Sequence, residues 1–193
     1  PYHGGTHLPD VTVIRPVFDD NTQQIIFYVA TRGHHADIGG ITPGSIPPQS
    51  QRIEEEGILL TNIQLVEQGQ FQEAKLRDLL NQPPYPARNI DYNIADLKAQ
   101  LAACSRELEL KRLIQQMGLS TVQAYMRHVQ DNAEESVRRV ISQLSNAAFT
   151  YAMDDGSQIC VKLTVDQAQR YATLDFTGTS PQHPHNLNAP TAI

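Results

Sequence analysis

Residues 7–37 read HLPDVTVIRPVFDDNTQQIIFYVATRGHHAD. Two runs within them, 11–17 (VTVIRPV) and 24–31 (QIIFYVAT), are rich in β-branched residues. Branched side chains pack well on a pleated surface, so both runs read as strands. Asp19, Asp20, Asn21 and Thr22 between them are turn formers, and the chain is expected to fold back as a β-hairpin. With the turn centred near residues 20 and 21, opposed positions sum to about 41. Residue 7 then faces residue 34 and residue 10 faces residue 31, within a slip of a residue or two. His7 and Asp10 arrive beside His34, His35 and Asp37 at the open end of the hairpin.

That juxtaposition is the chemical content of the sequence. Imidazoles and carboxylates gathered from two stretches, with positions left open, suit a divalent metal such as Mn, Fe or Zn. A metal-free His/Asp acid–base pair is the other chemical reading. Loop histidines making ordinary hydrogen bonds are the plain structural one. Pro9 stiffens the link from His7 to Asp10. Gly4 with Gly5, and Gly39 with Gly40, flank the cluster; they permit positive φ and close approach of backbone to a ligand, or serve loop geometry alone.

Outward from the hairpin, residues 33–50 are too rich in Gly, Pro and Ser for a helix or a central strand. Long loops of this kind are usually functional or disordered. Residues 52–66 are ambiguous, with Ile58 to Leu60 a candidate short strand and Glu54 to Glu56 a solvated turn or helix start. Apolar spacing predicts a helix over 71–81, stopped by the prolines of 82–89. A long amphipathic helix follows over 91–117, ended by Gly118. Another runs from a Ser120 cap, with Gln123 at the capping-box position, to about residue 144. The two are expected to form an αα-hairpin. From residue 147 the pattern returns to strands, 147–153, 159–165 and 170–178, with a turn at Asp154 to Ser157. Residues 175–182 (DFTGTSPQ) end in a hydroxyl-rich loop. Its Thr177, Thr179 and Ser180 are candidates for binding a substrate, a Ser/Thr-rich turn being the alternative. Strands, helices and strands in blocks make the fold class α+β: hairpin and motif loop over 1–66, helices over 71–144, antiparallel strands over 147–193.

Composition narrows the function. A net charge of −6 argues against nucleic acid and anionic membrane surfaces, which attract Lys/Arg-rich patches. Cys104 and Cys160 form neither a metal spacing nor a disulfide framework, so a reduced, cytoplasmic setting is expected. No nucleophile elbow, P-loop or dinucleotide fingerprint occurs. The chain starts without Met and ends on an apolar turn, which reads as an internal segment of a larger polypeptide.

In order along the chain, GGTHLPDVTV (4–13), RGHHADIGGITPGSIPP (32–48), EEGI (55–58), DLKAQLAA (96–103) and DFTGTSPQ (175–182) resemble the hydantoinase B/5-oxoprolinase family. The stretch 31–50 is most similar to its 5-oxoprolinase branch. The resemblance implies a B-type region of an enzyme that opens the cyclic amide 5-oxoproline to glutamate at the expense of ATP. It implies an A-type partner, half or subunit, that handles ATP/Mg, an oligomer, and a place in glutathione metabolism. Carried onto this sequence, the family's divalent-metal ligands are His7, Asp10 and a histidine of GHH, with His34 favoured by the family's single-histidine versions. His35 and Asp37 then become the catalytic candidates, as general base or as orienters of a ligand histidine. Gly39, Gly40, Thr177, Thr179 and Ser180 become substrate-binding candidates. A hydantoinase or acetone-carboxylase-type B subunit and a non-catalytic assembly module are the alternatives. AACSREL (102–108) departs from the family's usual break at this point of the helix.

Overall fold

A computed structural model describes residues 6–190; the Gly4–Gly5 reading falls outside them. The chain divides into two compact units. One runs as far as Leu110 and includes the chain from His183 onward; the other is Lys111–Gln182.

In the first unit, β1 (Asp10–Phe18) and β2 (Ile25–His34) form the expected antiparallel hairpin. Its register differs from the expected one. Asp10 faces His34 and Val17 faces Phe27, before an irregularity between Val17 and Phe18. The shift is three residues, more than the tolerance allowed, and its cause lies in the turn. Asp19 Oδ1 accepts hydrogen bonds from the backbone N–H groups of Asn21 and Thr22, at 3.0 and 2.7 Å. Asp19 N–H donates to Gln24 O at 2.8 Å, and Gln23 takes a positive φ of 58°. An aspartate closing its own loop in this way moves the turn past the DDNT tetrad.

One face of the hairpin is the base of the core. Val13 packs with Leu76 and Leu80 of α2 (Glu73–Leu80) and with Ile94, Leu97 and Cys104 of α3 (Ile90–Cys104). The buried positions of α3 are Asn93, Ile94, Leu97, Gln100 and Cys104. They recur every three to four residues, as a helix lying on a sheet requires. Asn89 caps the helix, its side-chain oxygen accepting from Tyr92 N–H.

Three local expectations are corrected in the middle of the chain. The long helix over 91–117 is two, α3 and α4 (Glu107–Met117). Ser105 and Arg106 close short turns onto Ala102 O and Ala103 O, and Ser105 Oγ also donates to Ala102 O. That serine competes for the helical carbonyls. The next helix, α5 (Leu119–Ile141), starts at Gly118 with φ 83° and no side-chain cap bond; Ser120 already lies inside it. Residues 57–60 form no strand: Glu54 to Glu56 lie in a one-turn helix, α1 (Ile53–Glu56), and Ile58 N–H donates to Ile38 O. A small hairpin, β3 (Val66–Glu67) with β4 (Gln70–Phe71), turns on Gln68 and Gly69, both at positive φ.

The second unit carries α5 and an antiparallel meander, β5 (Ala147–Ala152), β6 (Gln158–Asp166) and β7 (Tyr171–Asp175). Asp155 and Gly156 make the expected turn, Asp155 Oδ1 accepting from Ser157 N–H and Oγ. Arg138 of α5 donates to the carbonyls of Gln169 and Arg170, and Arg170 in turn meets Glu135 at 2.9 Å. The α+β block order holds. No helix among the described residues is long and apolar enough to cross a membrane.

Candidate metal centre

Pro9, just before β1, is buried, and its carbonyl accepts from two N–H groups. Val11 N–H and His35 N–H both donate to Pro9 O at 2.9 Å. This joins the first motif to the second. Asp10 and His34 follow as a directly opposed pair, and His7 closes over them. One ligand atom from each of His7, Asp10 and His34 lies within 4.8 Å of the other two. His7 Nε2 is 3.6 Å from Asp10 Oδ2, and the His7 and His34 rings stand 5.1 Å apart with a 45° tilt. The register shift strengthens the grouping, because it sets Asp10 against His34 rather than against Thr31.

The donor set fits a divalent ion. Two imidazoles and one carboxylate are a recurring ligand set for Zn and non-haem Fe, with positions left for water or substrate. His34 is exposed, and the side chains of His7 and Asp10 are 30% and 20% exposed, so the cluster opens to solvent. Thr6 Oγ1 lies 2.9 Å from His7 Nδ1. With the proton on Nδ1 donated to that hydroxyl, Nε2 presents its lone pair toward Asp10. Arg32 stands 3.9 Å from Asp10 Oδ2 and donates to Thr12 Oγ1 at 3.0 Å, a loose cation beside the carboxylate.

His35 and Asp37 are placed otherwise. His35 is 1% exposed. Its Nδ1 accepts from Asn93 Nδ2 and its Nε2–H donates to Gln100 Oε1, each at 3.1 Å. Both ring nitrogens are engaged by side chains of α3. Asp37 receives Gly39 N–H and Arg88 N–H on Oδ1, and Gly44 N–H and Arg88 Nη1 on Oδ2, at 2.7–3.1 Å. Burial works to raise its pKa, but the hydrogen bonds from Arg88, Gly39 and Gly44 prevail and hold it below the usual carboxylate range. An ionised carboxylate with this many donors fastens a loop rather than abstracting protons. The structure thus places His35 against α3 and Asp37 among the N–H groups of its loop, neither of them in the His7/Asp10/His34 grouping.

Gly39 and Gly40 are buried at φ 98° and 90°. A Cβ would come 2.3 Å from Tyr85 O at Gly39 and 2.6 Å from Glu56 O at Gly40. These glycines let backbone pack on backbone, which the loop geometry requires. Thr177, Thr179 and Ser180 belong to the second unit. Where β7 ends, Thr179 Oγ1 accepts from Cys160 N–H and donates to Cys160 O, both at 3.0 Å, and Ser180 Oγ accepts from Gln158 N–H at 2.9 Å. These two hydroxyls continue the edge of β6; Thr177 N–H donates to Asp175 Oδ1. Thr6, Arg88, Asn93 and Gln100 were missed. For Asn93 and Gln100 the signal was present, as polar residues on the apolar stripe of a helix.

The fold and site define an α+β segment that presents two histidines and an aspartate at the mouth of a hairpin, a donor set that a divalent ion fits. The chain belongs to the hydantoinase B/oxoprolinase family, whose profile matches residues 1–193. It is 46% identical, over its whole length, to 5-oxoprolinase 1 of Arabidopsis thaliana, of which it covers 17%. It is 44% identical to the 5-oxoprolinase of Dictyostelium discoideum, of which it covers 16%. The chain thus spans about a sixth of the length of these relatives. Among solved structures it is similar to the ATP-dependent caprolactamase of Pseudomonas jessenii. That likeness has a TM-score of 0.72 and 26% identity, over 94% of this chain and 31% of that one.

Proposed function

We propose that this chain is the metal-bearing segment of an ATP-dependent hydrolase of cyclic amides, with 5-oxoproline as substrate. The observation that carries the reading is the convergence of His7, Asp10 and His34 in a chain 46% identical to a 5-oxoprolinase. The caprolactamase, by its name, also acts on a lactam in an ATP-dependent way. In the overall reaction water adds across the ring amide. The hydroxyl goes to the carbonyl carbon, a proton goes to the ring nitrogen, and the C–N bond breaks. ATP is consumed in an A-type half or subunit, with Mg, and the assembly is a cytoplasmic oligomer.

His7 Nε2, an Asp10 carboxylate oxygen and a His34 nitrogen would hold the ion, Mn, Fe or Zn. Once bound, it supplies Lewis acidity toward a carbonyl or acidifies a water. The chain's own residues do the rest. Thr6 Oγ1 engages His7 Nδ1 at 2.9 Å, which leaves Nε2 as the nitrogen turned to the cluster. Pro9 O holds the two motifs together through His35 N–H. Asp37 and Arg88 fix the loop after His34, Arg88 Nη2 also donating to Gly40 O at 2.8 Å.

The test uses the full-length polypeptide with its ATP-handling half. His7→Ala and Asp10→Ala are expected to lose bound metal and, as removal of a required catalytic metal implies, at least about a hundredfold in ATP-dependent 5-oxoproline hydrolysis. Far-UV circular dichroism should be unchanged. Wild-type turnover in either variant refutes the assignment. Hydantoins or ketones as better substrates would redirect it to the carboxylase-type alternatives. A folded wild-type protein without metal would favour an assembly role.

A further inference from the structure

We infer that Gln100 of α3, seated on Gly33, is the positioning residue for the metal ligands, an inference that rests on the metal reading above. The ligands sit at the open end of a two-stranded ribbon, and such a ribbon is marginal by itself. The ladder pairing ends at Asp10 and His34, and one backbone bond, His35 N–H to Pro9 O at 2.9 Å, joins the strands beyond it. One side-chain amide adds a hold from the side. Gln100 Nε2 donates to Val11 O at 2.8 Å and to Thr31 O at 3.2 Å, while Gln100 Oε1 accepts from His35 Nε2–H at 3.1 Å. It touches the residue after Asp10, the residue after His34, and both strands. Thr31 Oγ1 answers by donating to Gln100 O at 3.3 Å.

Gly33 gives independent support. It has no positive φ that would call for glycine. A Cβ there would meet Gln100 Cδ at 3.2 Å and Nε2 at 3.4 Å, tighter than ordinary contact. The glycine of RGHHAD therefore makes the space in which the amide lies, one residue before His34. The glutamine is 7% exposed, so losing its amide removes a hydrogen bond from each of two strand carbonyls and leaves the buried His35 ring N–H without its partner. The position of His34 against Asp10 follows from that amide.

Gln100→Leu keeps volume and removes the hydrogen bonds; Gly33→Ala keeps the bonds' partners and pushes on the amide. Both are made in the full-length protein and titrated with Mn²⁺, with free and bound ion read by electron paramagnetic resonance. Each is expected to stay folded, to bind Mn²⁺ about 10- to 100-fold more weakly, as loss of an outer hydrogen-bond partner does, and to show an altered bound-ion spectrum. A folded Gln100→Leu variant with wild-type affinity, within about twofold, and a wild-type spectrum overturns the inference even if its melting temperature falls. Should that variant not fold, Gly33→Ala decides by the same criterion. A wild-type protein that takes up no Mn²⁺, Fe²⁺ or Zn²⁺ overturns the metal reading and this inference together. Failure of the variants alone leaves the metal reading standing.

Discussion

Replacing Asp37 by asparagine isolates what holds the motif loop. The carboxylate accepts four hydrogen bonds, from Gly39, Gly44, Arg88 N–H and the Arg88 guanidinium. An amide keeps one oxygen, so about half of these bonds are lost and its NH₂ group faces donors. Hydrogen bonds to a charged group contribute about 1.5–3 kcal/mol each. The Arg88 side chain is 39% exposed, and water recovers part of its share, which brings the expected loss to about 3 kcal/mol. At 1.36 kcal/mol per decade this is about a hundredfold in local opening. The assay is hydrogen exchange at the Gly39, Gly44 and Arg88 amides, expressed as protection factors. Because the folded pKa of Asp37 is depressed below 3.8, its stabilisation is fully present above that value. It is lost as pH falls through the lowered folded value. Wild-type protection should decline there, after correction for intrinsic exchange, and the variant should lack that step. Protection within about threefold of wild type at neutral pH would refute the reasoning.

Gly40→Ala places a methyl 2.6 Å from Glu56 O at φ 90°, so clash and backbone strain together should exceed about 3 kcal/mol; an unchanged melting temperature counts against the packing described. Leu97→Ala empties a site that is 1% exposed and should cost about 2–5 kcal/mol in denaturant titration at unchanged slope, whereas a loss below about 1 kcal/mol would mean that α3 is not the lid of this core.

The hairpin and its two motifs were legible because β-branched runs and a cluster of turn residues signal themselves locally. The register was not, because Asp19 and Gln23 chose a longer turn than DDNT implies, a choice made by hydrogen bonds of a few tenths of an ångström's tolerance. The roles of His35 and Asp37 were hidden for another reason. Their partners, Arg88, Asn93 and Gln100, lie more than fifty residues downstream, and only the tertiary fold brings them back. Periodicity located α3 but passed over Ser105, whose hydroxyl breaks the helix without disturbing its apolar spacing. The helix start at Gly118 shows the same limit: Ser120 and Gln123 satisfied a capping pattern, yet a glycine two residues earlier set the geometry.

Pro9 O anchors the hairpin from its open end, and the one irregularity in the pairing falls at Val17 and Phe18, beside the turn. Seven residue steps of strand, from Asp10 to Val17 and roughly 23 Å, lie between that irregularity and the Asp10–His34 pair. The ribbon is therefore regular at the end that carries His34 and Asp10 and irregular beside its turn. A residue gained or lost in the loop between Phe18 and Ile25 is taken up at the bulge, and the alternation of faces that aims Asp10 and His34 is left intact. The tip of the hairpin is free to vary in length while the placing of His7, Asp10 and His34 stays constant.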